Sequence, residues 1–521
     1  MKMSKTKNLI ILIIAILIDV NAFSRSRPHD LQVKNLIKNY RLGKVPGKQL
    51  WNQLVAMSNK SSKLSRDSRV SILQLKAKII YQDGYPITAA IWAAKAIETA
   101  RNPIHKNLSG SWKILSDVSK ARPIQYMLEA LAATLRLKKN PPWFGNAWNY
   151  IRGNSLAIDN KKRQAIRYYR MAKMGERYFL SSQYQLAMNL IEIGRAKEAK
   201  TPLKSIISSS VRQASPIKSS DKVEMWNYAH LALARIYYEE QDFLTAARLY
   251  RKVTRSSPLF YDALFEQSWA LFMGGNPTHA LGSLTGVHSP YFGHEFNAEG
   301  RILEATIYFW LCRYEDSRMA LVQFSKEYSK PVENLSVFLD KKHLSPDRAY
   351  RLFEDLVMGV SSESLGLPRR LLESVANQDS MLLVRDQLAS LLHEHSKVSW
   401  SGILGQSIGK KTIIFHQDKI INHLKKAIGN QFLTELDHLR RHYDDLEDQS
   451  EFLYLELLMS EKEQLLGKEL HASSKVTRID KNRLIRGWGK RLQSWSSDMK
   501  GEFWWDEIGY QIVPVKPQCV N

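Results

Sequence analysis

Gly405-Gln406-Ser407-Ile408-Gly409-Lys410-Lys411-Thr412 has the outline of a loop that cradles phosphate. That chemistry needs a glycine where Leu404 stands and a magnesium-binding hydroxyl where Lys411 stands. Without them nucleotide binding is not expected. His438 and His442 lie four apart and share a helix face, but a zinc hydrolase needs Glu where the chain has Leu439. His393 and His395 flank Glu394, with no further ligand in view. No Gly-x-Ser-x-Gly elbow and no Cys–His nucleophile is evident. These residues predict no catalytic, cofactor or metal site, and the reading is noncatalytic.

The elements that carry the chain follow a period. Ala234, Tyr237, Phe243, Ala246, Tyr250 and Pro258 map 34 residues on to Ser268, Leu271, Pro277, Ala280, Leu284 and Phe292. Gly153, Leu156, Ala165, Tyr169 and Ala172 map by the same step to Ala187, Leu190, Ala199, Leu203 and Ile206. A period near 34 with two small residues at fixed places describes a helix–turn–helix unit. The first small residue lets the opening helix approach its partner, and the second does the same from the other side. Gly194 and Gly275 fall where the turn needs a left-handed or open backbone.

The stretch Asn227 to Phe260, with Leu233-Ala234, Tyr237, Ala246, Tyr250 and Pro258, resembles the tetratricopeptide repeat (TPR). The resemblance covers about half of the chain. It places repeats near 70–103, 146–179, 180–213, 227–260, 261–294 and 298–331, with a loop insertion from Ser208 to Lys222. His230, Pro277 and Ser317 depart from the family pattern. The resemblance implies an all-α, right-handed solenoid over 70–331 whose concave face is lined by the first helix of each pair. By family geometry, Tyr150, Tyr184, Tyr228, Tyr238, Phe265, Trp269, Phe272, Phe309 and Trp310 lie on or near that face. Such a row suits a groove for a protein partner, with Arg235 placed to fix a carboxylate. A one-residue slip of register would bury half of these side chains.

Met1 to Ala22 reads as a secretory signal peptide: Lys2, Lys5 and Lys7, an apolar run from Leu9 to Ile18, then Val20-Asn21-Ala22. Ten apolar residues are too few to span a bilayer, which takes about 20. The expectation is an exported protein, periplasmic or envelope-associated, and not an integral membrane protein once the signal is cleaved. The whole chain of 521 residues carries a formal charge of +25. The charge favours acidic polymers, membrane surfaces or acidic proteins as neighbours, and export argues against nucleic acid. The leader, 23–69, holds eleven Lys/Arg against two Asp. It reads as a solvated lead-in or as an electrostatic tether. Cys312 and Cys519 are the only cysteines, and whether they pair is left open.

Beyond Pro331 the period fades. Residues 332–412 carry further helical patterning, with a helix start at Ser345-Pro346-Asp347 and a connection from Ser396 to Lys411. Over 413–472 apolar residues from Ile421 to Leu457 advance mostly by threes and fours, as in a heptad seam, and Gly429-Asn430 is a place for a kink or break. This is either a long helix or hairpin packed on the solenoid or a projecting coiled coil. From Asp437 to Glu469 ten acids face four bases. The segment 473–521 is rich in aromatics and reads as a cap docked onto helices, with a short strand over Tyr510 to Val515. Signal, repeats, long helix and aromatic tail together resemble envelope repeat proteins of gliding or predatory bacteria. The reading is therefore a scaffold for assembly, secretion, division or motility in the envelope. The alternative is a peptidoglycan-acting enzyme or a direct binder of an anionic envelope polymer. Soluble lytic transglycosylases pair a Glu-Ser with a downstream Gly-Leu-Met-Gln element. Glu363-Ser364 is present here without that second element. Oligomeric state is not legible.

Overall fold

A computed structural model describes residues 29–42, 47–58, 64–137, 139–212, 219–293, 295–340, 345–359, 367–400, 408–466, 493–494, 505 and 507–519. The signal reading over 1–22, Glu363-Ser364 and residues 401–407 lie outside them. The described chain is nearly all helix, as the sequence predicts, and strands occur only at β1 (Gln493–Ser494) and β2 (Gln511–Ile512), paired in parallel. No described helix is long and apolar enough to cross a membrane.

One turn recurs between helices. It joins α3 (Arg66–Gln82) to α4 (Pro86–Thr99), α7 (Ala147–Ile158) to α8 (Lys162–Tyr169), α9 (Phe179–Glu192) to α10 (Ala196–Arg212), α11 (Ser219–Glu239) to α12 (Phe243–Tyr250), α13 (Phe260–Met273) to α14 (Pro277–Val287) and α15 (Glu299–Trp310) to α16 (Tyr314–Phe324). Each first helix ends in a left-handed residue: Gly84, Asn160, Gly194, Gln241, Gly275 and Cys312, with φ from 57° to 88°. The next amide donates to the carbonyl five residues back, as Tyr85 to Ile80, Asp242 to Tyr237 and Arg313 to Tyr308. This satisfies carbonyls that the helix end would leave bare. Gly194 and Gly275 hold the backbone expected of them. At Asn160, Gln241 and Cys312 the same conformation is adopted by residues with a Cβ, at a steric cost. Side chains then start the second helix: Asp242 accepts from the Thr245 amide and Asn276 from the His279 amide.

The small residues of the period are shut in. Ala165, Ala187, Ala199, Ala234, Ala246, Ser268 and Ala280 have no exposed surface. At Gly153 a Cβ would meet the Tyr169 ring at 2.5 Å, so α7 and α8 touch through the missing side chain.

The chain divides into two compact units. One comprises Met1–Asn189 and Asp379–Gly429, the other Leu190–Gln378 and Asn430–Asn521. These boundaries fall inside the 70–331 and 413–472 segments drawn from sequence. The first unit holds α1 (Asp30–Arg41), α2 (Gly47–Ser58), α3, α4, α5 (Ser109–Ala121), α6 (Gln125–Leu135), α7, α8 and most of α9. Later chain joins it as α20 (Asp379–Trp400) and the first part of α21 (Ile408–Leu465). Its core is built on Trp51, Trp112 and Trp148.

The second unit continues through α10–α16, α17 (Lys330–Leu339), α18 (Pro346–Val357), α19 (Arg369–Ala376) and the rest of α21. Two sequence expectations are corrected here. The connection drawn over 396–411 is shorter, because α20 runs to Trp400 and α21 begins at Ile408. Gly429-Asn430 does not break α21, which is continuous to Leu465. A single glycine inside a helix costs only about 1 kcal/mol, and buried Ile428 and Phe432 flank it. In the second unit Tyr443 of α21 is buried. Its hydroxyl donates to the Phe296 carbonyl at 2.8 Å and faces the Ala298 amide at 3.3 Å. Arg318 pairs with Glu461 farther along.

The chain's end docks on the second unit, as its aromatic content suggests. β2 crosses α14 at Gly282, where an added Cβ would collide with the Gln511 carbonyl oxygen. The Val513 amide donates to the Thr278 carbonyl, and that of Gln518 to the Leu311 carbonyl. Arg255 donates to the Ile508 carbonyl and lies over the Tyr510 ring. Ile508 and Val513 enter the core. Cys519 is disulfide-bonded to Cys312, closing the pairing that the sequence leaves open.

Candidate protein-binding face

In the second unit three opening helices, α11, α13 and α15, bring the sequence-predicted residues into register. Arg235 of α11 reaches Glu266 of α13 with both Nε, at 2.8 Å, and a terminal nitrogen. The Trp269 indole N–H of α13 donates to Glu299 of α15 at 3.2 Å. Burial raises the Glu299 carboxyl above its ordinary value, opposed by His442 and by this hydrogen bond. Phe272 stands edge-on to Trp310 with ring centroids 6.0 Å apart, and Trp269 lies tilted 6.5 Å from Phe272. Trp310 and Arg235 are exposed; Trp269 and Phe272 are half-buried. The result is an aromatic ledge from α13 to α15 with an ion pair at one end.

The other predicted residues spread out. Tyr238 is half-buried, edge-on to Phe243, and Phe309 is half-buried beside Tyr314. Tyr228 is half-buried on α11, and Tyr184 is half-buried on α9 in the first unit. Two expectations are corrected. Phe265 is 8% exposed and belongs to the second unit's core. Tyr150, also 8% exposed, is stacked on Tyr178 at 4.8 Å inside the first unit. Both are apolar-rich ring positions on helices packed from two sides, where register sends the ring inward.

Arg235 also differs from its expectation. Its guanidinium is already held by Glu266, so an incoming carboxylate has to compete with that acid. Sequence reading missed Glu266 and Glu299. The signal was present, because each lies about one repeat beyond its partner, at 31 and 30 residues.

One of the residues singled out for chemistry has a structural role. Glu394 is buried on α20 and caps α4: it accepts from the amides of Ile87 at 2.6 Å and Thr88 at 3.0 Å, and from the Thr88 hydroxyl at 2.9 Å. Burial raises its carboxyl even so. His395 lies 2.9 Å from Asp418. His438 and His442 are exposed on α21, His438 beside Arg441. Among the described residues no group of three or more His, Cys, Asp or Glu is placed to hold a metal ion.

A second polar cluster lies within the first unit. Buried Glu129 accepts from Gln125 at 2.9 Å and Asn154 at 2.7 Å, and the Tyr169 hydroxyl donates to Asn154. Burial raises the Glu129 carboxyl against these bonds. The cluster ties α6, α7 and α8 together.

No protein-family model matches the chain, and no curated protein matches it.

Proposed function

We propose that this chain is an exported, noncatalytic scaffold whose helix pairs form a right-handed TPR-like solenoid, and that it holds a protein partner in a bacterial envelope assembly. Support for the repeat comes from the six identical turns and the fully buried small residues at 34-residue steps. Support for export comes from the signal-like leader in the sequence and from the Cys312–Cys519 bond, since structural disulfides persist in oxidising compartments. The observation that carries the binding role is the ledge of Trp269, Phe272 and Trp310, aromatic surface left accessible beside an ion pair. Tyr, Trp and Arg supply most of the energy at interfaces.

Pull-down from an envelope extract with the full chain tests this reading. A double variant Trp269→Ala, Phe272→Ala should lose the partner by at least about tenfold while keeping wild-type helicity by circular dichroism. A partner retained unchanged would exclude this face.

The +25 charge favours a second reading, direct binding of an anionic envelope polymer or action upon it. Cosedimentation with sacculi separates the two: salt-reversible pelleting without release of fragments indicates a polymer ligand, and released fragments indicate an enzyme.

A further inference from the structure

The last six turns of α21 carry two apolar faces. Leu446, Leu453 and Leu457 are 2%, 7% and 0% exposed and form the packed side of the helix. On the opposite side Phe452, Leu455, Met459 and Leu466 are 63%, 58%, 64% and 61% exposed. Their spacing of three, four and seven residues puts them in one stripe along a helix. Among the described residues the buried seam already anchors α21 without them. A stripe of four large apolar side chains in water is costly to leave bare and marks an interaction surface.

The flanks say which kind of surface meets it. Glu456 and Glu463 border the stripe on one side and Glu451 on the other, where Lys462 is the single base. Glu461 is turned away and taken by Arg318. A second copy of α21 laid antiparallel on the stripe would set Glu456 and Glu463 against the same two acids, the arrangement that coiled-coil flanks use to reject a pairing. An anionic lipid surface is repelled for the same reason. A helix with an apolar face bordered by Lys and Arg matches both features at once.

We propose that the outer face of α21 from Glu451 to Leu466 is a docking site for a cationic amphipathic helix of a partner protein, separate from the aromatic ledge. The helix supplies an apolar seam for Phe452, Leu455, Met459 and Leu466 and basic residues for the three glutamates. Two synthetic peptides with the same leucine seam, one with lysine flanks and one with glutamate flanks, are titrated into the full-length protein by fluorescence anisotropy. The lysine peptide is expected to bind at least about tenfold more tightly than the glutamate peptide and to weaken with salt. Phe452→Ser with Met459→Ser should cut that affinity about tenfold, and Glu456→Lys with Glu463→Lys should reverse the preference. Phe452 and Met459 are exposed and Glu456 and Glu463 half-buried, so circular dichroism should be unchanged in both variants and melting unchanged in the serine variant.

Equal binding of the two peptides, no binding, or an unaffected serine variant overturns the proposal. So does concentration-dependent self-association in sedimentation that the serine variant abolishes, because a second copy then owns the stripe. So does lysine-peptide binding that emerges only after Lys490→Glu with Arg491→Glu, because the stretch from Lys475 to Arg491, with seven Lys/Arg and one Asp, then owns the stripe in the wild-type chain.

Discussion

Lys76 shows how little a residue type tells when its surroundings are unknown. It is 1% exposed in the first unit, with Nζ 4.6 Å from the centre of the Trp92 ring and 5.8 Å from that of Trp51. His416 also stands edge-on to Trp92. Ring faces attract a cation, but loss of water weighs more, and burial pushes the ammonium down to about 7. An unfolded lysine keeps its proton to about 10.5, so between pH 7 and 10.5 the unfolded chain binds more protons than the folded one. The sign is that folding stability gains with rising pH across this window and that Lys76 costs stability below it. Lys76→Met should therefore stabilise the protein at pH 7 by on the order of 2 kcal/mol and flatten the pH 7–10 profile, read by urea melts. A loss of stability at pH 7 would show that the ring faces dominate. In the sequence the only sign was position: Lys76 sits four after Ile72 and four before Ile80, on the apolar stripe of α3. The site residues have the same difficulty. Tyr150 and Phe265 looked no different from Trp269 until packing assigned them a side.

The elements were easier to read than their ends or their partners. Small residues 34 apart announce close helix pairs because two backbones can approach only where side chains are short. Gly194 and Gly275 announce turns because left-handed backbone is cheap only for glycine. Asn160, Gln241 and Cys312 take the same conformation unannounced, held by the hydrogen bonds that end each helix. The aromatics of 473–521 suggested a docked segment; Trp505 sits among Phe260, Tyr291 and Phe292, while Trp488, Trp495, Phe503 and Trp504 lie outside the described residues. Where it docks was not legible, because Gly282 reads as a helix-weakening residue until Gln511 is found against it. Gly282→Ala should push the tail off α14: the added methyl meets backbone that cannot yield as a side-chain tip would. The expected result is a loss of about 1–3 kcal/mol and faster hydrogen exchange at the Val513 amide, with helix content kept. Unchanged exchange at Val513 would mean that the tail does not rest on this helix.

At the scale of the whole molecule, net charge and buried histidines set the response to acid. Burial holds His279 in the second unit and His416 in the first down to about 4, and Lys76 and Lys419 add to the effect at His416. His288 is pushed well below its ordinary value by burial and by Arg301, so it faces Glu304 as a neutral ring. Unfolded histidines take up protons near 6.5. Stability from these groups is complete above that pH and is lost as pH falls toward 4. The positive charge grows over the same interval and adds self-repulsion. Thermal melts from pH 7 to 4 should show a steep decline, and His279→Gln with His416→Gln should shallow it. A decline of equal slope in that variant would exclude these two histidines as its cause.

What the sequence determined by itself is local and periodic: helices over most of the described residues, a 34-residue rhythm, turns at two glycines, and a phosphate-loop outline that departs at Leu404 and Lys411. Such features follow from covalent spacing, which sets which side chains share a face whatever lies opposite. The tertiary structure alone decided which aromatics are surface, that α21 runs unbroken through Gly429, that Arg235 is already paired, and that Cys312 meets Cys519 across 207 residues of chain. Those outcomes depend on what distant segments press against a given side chain, and spacing along the chain carries no record of that.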